Sequence, residues 1–172
     1  MNLKVAYLPF PSAPALRRLA NNVVAAHNAV HRWDRFAPEV LVSGSGVLTS
    51  VRRYQQLYIF ALGRAKEPLL TADGGAWVDT DALAQQLRGE GLTTAIRKVK
   101  LWASESGAGG LSSSAARLKR AMVAAGFSHV SVYGYMKALG DFTSGRHKVA
   151  ADVDAAGHAI AIYPAKSMRV RF

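Results

Sequence analysis

Residues 96–127 read IRKVKLWASESGAGGLSSSAARLKRAMVAAGF, and the spacing of the apolar positions changes within this one stretch. Ile96 to Ala103 is a compact run built on Val99, Leu101 and Trp102, the composition of a strand in a covered sheet. Gly107-Ala108-Gly109-Gly110 interrupts it. Ser112 or Ser113 then caps a helix over 114–125, where Ala115, Leu118, Met122 and Val123 recur at helical spacing, and Gly126 ends it. His129 to Tyr135, HVSVYGY, alternates as a second strand. Strand, helix and strand in close succession imply parallel neighbours joined by a crossover, and therefore an α/β fold.

The same alternation extends outward. Leu3 to Leu8 is a strand closed by Pro9-Phe10-Pro11, and Pro14 to Trp33 is an amphipathic helix capped by Ser12. Its inner face carries Leu16, Leu19, Val23, Val24, His27, Val30 and His31. Glu39 to Val42 is a short strand, Tyr54 to Leu62 (YQQLYIFAL) a stronger one, and Leu69 to Val78 a hairpin around Ala72-Asp73-Gly74-Gly75. Asp79 and Asp81 open a helix that runs through Leu87 and stops at Gly89 to Gly91. Near the end, Lys148–Val153 and Ala159–Tyr163 flank Asp154-Ala155-Ala156-Gly157 as a terminal hairpin. The expectation is one domain over 1–172, a three-layer α-β-α sandwich with a mainly parallel sheet and a small C-terminal hairpin. Sites in such sheets gather beyond the carboxyl ends of the strands, which singles out the strand ending at Leu62-Gly63 and the one ending at Ser104.

Half of the 172 residues are hydrophobic, enough for one core, and no apolar run approaches the roughly 18 residues of a spanning helix. The opening MNLKVAYLPF lacks the layout of a signal peptide. A cytoplasmic protein is expected, with secretion by a signal-less route left open. The chain has no cysteine, which excludes disulfides, thiolate metal sites and a thiol nucleophile. Its 22 Lys and Arg outnumber 11 Asp and Glu, a net charge of +11 that favours polyanionic partners: an acidic protein or peptide, nucleic acid, or an acidic membrane surface. The cations come in small groups, and no strand alternates them with the aromatics Trp33, Tyr54, Tyr58, Trp77, Trp102, Tyr133 and Tyr135, as single-strand binders do. Nucleic acid therefore stands as the alternative partner. Arg52, Arg53, Arg64 and Lys66 bracket the Tyr54 to Leu62 strand and would make a cleft at its end basic.

Taken together, LYIFALG (57–63), TDALAQQL (80–87), IRKVKLWASESG (96–107), SSAARLKRAMVAAGF (113–127) and VSVYGY (130–135) resemble the caspase-like fold of clan CD cysteine peptidases. The likeness is to the bacterial branch near the self-cleaving peptidase domains of large clostridial toxins, and it covers about residues 55–135. In that pattern one strand ends in His-Gly and the next in Ser-Cys or Ala-Cys, displaying a thiol beside an imidazole. Here the histidine position falls on Leu62 and the cysteine position on Ser104. The resemblance thus implies a peptidase-like scaffold without its catalytic pair, needing no cofactor and serving as a binding or regulatory module in bacterial interaction or secretion. Its cleft would be formed by Leu62, Gly63, Arg64, Ser104, Glu105, Ser106 and the loop 140–148 with Arg146.

Other constellations compete with this reading. Ser104 with His147 as an unconventional base would make a hydrolase, whereas the plainer reading of Ser104-Glu105-Ser106 is a solvated turn. His27 and His31 have the i, i+4 spacing of metal ligands but lack the intervening glutamate and a third ligand, so packing on a helix face is the expectation and no metal is assigned. Asp79/Asp81 and Asp152/Asp154 are carboxylate pairs best explained by a helix start and a hairpin turn. Gly107 to Gly110 before a run of serines could cradle an anion, yet it lacks the lysine of a phosphate loop.

Overall fold

A computed structural model describes residues 2–139 and 149–172. The chain runs β1 (Asn2–Leu8), α1 (Pro14–Val30), β2 (Arg35–Val42), β3 (Gln56–Phe60), the hairpin β4 (Leu69–Thr71) and β5 (Trp77–Asp79), α2 (Thr80–Gly89), β6 (Lys98–Trp102), α3 (Ser114–Ala124) and β7 (Ser131–Tyr135). It continues with β8 (Ala138–Leu139), β9 (Val149–Val153), β10 (Ala159–Pro164) and β11 (Arg169–Arg171). Six strands form the central sheet in the order β2-β1-β3-β6-β7-β11, parallel throughout except for β11, which pairs antiparallel with β7. A small antiparallel sheet, β10-β9-β8, lies outside it.

Strand order reverses at β1. The chain winds from β1 to β2 on one side and from β3 through β6 to β7 on the other, so crossovers of one hand place α1 on one face and α2 and α3 on the opposite face. The side chains of β1 report this directly. Lys4 reaches His27 of α1, while the Tyr7 hydroxyl accepts from Gln86 of α2, and residues of opposite parity on a strand point to opposite faces. The α2/α3 face is apolar apart from the Tyr7 hydroxyl, with Val5, Leu57, Ile59, Val99, Leu101 and Val132 buried. The other face carries Tyr58, Phe60, Lys100, Trp102 and Tyr135, and Leu139 and Ala150 of the small sheet join the same core. Among the described residues no helix is long and apolar enough to cross a membrane.

Several expectations are corrected. Helix α1 stops at Val30, leaving Trp33 89% exposed beyond it, and Ser12 does not cap it. Its cap comes from far along the chain: the Asp73 carboxylate, in the turn of the β4–β5 hairpin, accepts from Ala15 N (2.8 Å) and Leu16 N (3.1 Å). Strand β2 begins at Arg35 rather than Glu39, because Asn28 of α1 holds Phe36 by both backbone groups. Val123 of α3 faces solvent. Strands β8 and β11 carry no period in the sequence, β8 because it is two residues long and β11 because it is a three-residue Arg-Val-Arg.

Candidate functional site

The two strand ends singled out by the sequence are neighbours. Phe60 pairs with Trp102, and the contact runs one residue past the ladder through Ala61 N–H to Trp102 O (3.2 Å). Gly63 confirms the close approach. A Cβ there would stand 2.9 Å from the Ser104 carbonyl oxygen and 3.1 Å from the Ala103 Cβ, so only glycine fits. Leu62 is then caught by the hairpin, exchanging backbone hydrogen bonds with Thr71 (2.8 and 3.0 Å) while its side chain stays 45% exposed. The result is a cleft of about 370 Å³ lined by Leu62, Gly63, Arg64, Glu67, Leu69 and Thr71.

Residues 104–107 are not a solvated turn. The Ser104 hydroxyl accepts from Leu139 N (2.9 Å) and donates to Leu139 O (3.3 Å), standing in for a strand partner of β8. Its only proton is thereby committed. Ser106 is fully buried, donating to Leu101 O (3.1 Å) and accepting from Tyr135 N (3.2 Å). Glu105 between them has φ +55°, a left-handed conformation that costs an ordinary residue about 1 kcal/mol. Backbone bonds from Glu105 N to Lys137 O and from Gly107 N to Tyr135 O complete the suture. Gly134 makes it possible, since a Cβ there would lie 2.7 Å from both Ala115 Cβ and Gly107 N.

Histidine is not brought to Ser104 by any described element. His129 precedes β7 at the opposite edge of the sheet, and His27 lies by Lys4 (2.9 Å) and the Asp34 carbonyl (2.6 Å), stacked on His31 at 4.2 Å. His147 and Arg146 fall outside the described residues. Arg52 and Arg53 also lie at the opposite edge, before β3, so only Arg64 and Lys66 remain near the cleft. Glu67 lines the cleft beside Arg64 and the Glu105 carboxylate accepts from Ala65 N (3.4 Å), so charges of both signs meet here among the described residues. The carboxylate pairs serve structure: Asp79 caps α2 at Ala82 N (2.7 Å), Asp152 binds Lys137 and the Tyr163 hydroxyl, and Asp154 closes the β9–β10 turn. In the Gly107–Gly110 loop and the start of α3, the amides of Gly107, Ala108, Ser112, Ser113, Ala115 and Ala116 all donate within the protein, leaving none of these for an anion.

One cluster escaped the sequence reading. Tyr58, Lys100, Tyr133 and Arg171 form a single cross-strand row, so aromatic and basic residues alternate across the sheet although they do not along any strand. Lys100 is 7% exposed and donates to the Tyr58 hydroxyl at 2.6 Å. Burial, reinforced by Arg169 and Lys4, pushes its ammonium down to about 7. Beside it Lys4 pairs with Asp34 at 2.5 Å; burial would raise that carboxyl, but the Lys4 contact outweighs it and holds the group below its usual range. The signal was present as Lys98-x-Lys100 inside an apolar strand, but the register that matters is not written in the sequence.

No protein-family model matches this chain, and no curated protein matches it either.

Proposed function

We propose that the chain is a catalytically silent, caspase-like module that binds a partner peptide in the strand-end cleft. The observation that carries this reading is the commitment of the Ser104 hydroxyl to both backbone groups of Leu139; on the proposed likeness, Leu62 stands where a base would be needed. Serine without a base is a poor nucleophile at neutral pH. What the cleft offers instead is recognition. Leu62 and Leu69, both part-exposed, present an apolar floor, and Arg64 and Glu67 provide charges of both signs at its border. That chemistry suits one apolar side chain of an extended segment, with polar groups flanking it.

The test uses a fluorophosphonate probe and a labelled peptide library on the intact chain. Absence of labelling at Ser104, together with peptide binding lost in Leu62→Glu, is the expected result. Labelling at Ser104 that disappears in Ser104→Ala would replace the module with a hydrolase.

A further inference from the structure

The opposite edge of the sheet is chemically different. There the parallel strands begin and the antiparallel β11 ends, so residues scattered through the sequence are collected on one rim. Arg35 opens β2, Arg52 and Arg53 precede β3, Arg97 and Lys98 enter β6, and Arg171 closes β11. The ladder fixes their lateral order: Lys4, Gln56, Lys98 and Ser131 form one row, and Arg171 Nε donates to the Ser131 hydroxyl (3.1 Å) at its end. Among the described residues none of these six cations is within salt-bridge distance of a carboxylate. The rim's own acid, Asp34, is taken by Lys4.

Two aromatic side chains stand out on the same rim. Trp33, just before β2, is 89% exposed, and Tyr54, just before β3, is 54% exposed. Neither is held in the core. Six strands spaced about 4.8 Å apart make the rim about 24 Å long, a narrow line of positive charge rather than a broad plate. A flexible phosphate backbone can follow such a line, and exposed π-faces serve only bases that are not already paired.

We propose that this rim binds single-stranded nucleic acid, its phosphates running along Arg35, Arg52, Arg53, Arg97, Lys98 and Arg171 and its unpaired bases stacking on Trp33 and Tyr54. The site is distinct from the strand-end cleft and does not depend on it. The cations supply affinity without sequence preference, and the aromatics select single strands over duplex.

Fluorescence anisotropy with labelled oligo-dT and oligo-U, a hairpin duplex of equal charge, and vesicles of phosphatidylserine tests the proposal. Both single strands, or one of them, bind more tightly than the duplex, and log K falls with log salt by about 0.7 for each phosphate engaged. Arg52→Ala with Arg53→Ala lowers that slope by about 1.4. Trp33→Ala weakens single-strand binding about 5- to 150-fold, the value of one lost stack, and leaves duplex binding unmoved. Arg120→Ala, an exposed cation on α3, changes nothing. The proposal is overturned if duplex and single strand bind alike and Trp33→Ala is silent, if Arg120→Ala weakens binding as much as the rim variants, or if only vesicles bind.

Discussion

Lys100→Met isolates the energetic consequence of placing an ammonium inside the sheet. The group leaves its ordinary value of 10.5 for about 7 on folding, chiefly through desolvation. A lysine whose folded value is depressed binds its proton more tightly in the unfolded chain, so stability rises with pH between the two values. At pH 7 the native group has already lost about half of this proton and by pH 9 nearly all of it, while the unfolded state keeps it throughout. At 1.36 kcal/mol per unit the gain is about 2 kcal/mol over that interval. Replacement by methionine removes it. The hydrogen bond from Lys100 to the Tyr58 hydroxyl is lost in the variant, at a cost of about 1 kcal/mol. Burial raises the Tyr58 hydroxyl well above its usual range, so that cost is constant across the interval. Urea unfolding followed by tryptophan fluorescence at pH 7, 8 and 9 therefore shows a rising curve for the native chain and a flatter one for Lys100→Met. Parallel curves would refute a buried, destabilised ammonium.

Three further outcomes follow from contacts already described. Ser104→Ala strips Leu139 of its side-chain partner and lowers stability by about 1–2 kcal/mol in denaturant unfolding. Asp73→Ala removes the cap that the hairpin lends to α1, costing about 1 kcal/mol at neutral pH. The amides of Ala15 and then Leu16 hold that carboxyl below its usual range, so its contribution is complete above about pH 4. The gap between wild type and Asp73→Ala therefore narrows as pH falls below that point, read by acid titration of circular dichroism. Gly134→Ala forces a methyl group against Ala115 and the Gly107 amide and lowers the thermal midpoint by the equivalent of about 1–3 kcal/mol or more.

What could be read from the sequence was whatever is local. The Val99–Gly126 unit declared itself through a change of period and a serine cap, and Ser113 does accept from Ala116 N as that pattern requires. The β4–β5 hairpin followed from its Asp-Gly-Gly turn, and the parallel sheet from the alternation of elements. Long-range partnerships left no such mark. Asp73 reads as an ordinary turn residue, yet it caps a helix that begins 59 positions earlier. Ser104 reads as a nucleophile or a solvated side chain, yet its hydroxyl substitutes for a strand. Arg52 and Arg64 flank one strand in sequence and stand at opposite edges of the sheet in space. For the same reason the alternation of Tyr58, Lys100, Tyr133 and Arg171 emerges only when four strands are in register.

The proposed module requires positions 62 and 104 to face each other as a peptidase pair would, without its chemistry. Introducing Leu62→His and Ser104→Cys together tests it without knowledge of any substrate. The chain has no other cysteine, so alkylation reads this thiol alone. The measurement is the rate of alkylation as a function of pH, compared with Ser104→Cys by itself. If the two positions face each other, the imidazole stabilises the thiolate and the midpoint drops by about one unit or more from the ordinary value near 8.5. Superimposable profiles for the single and double variants would contradict the account.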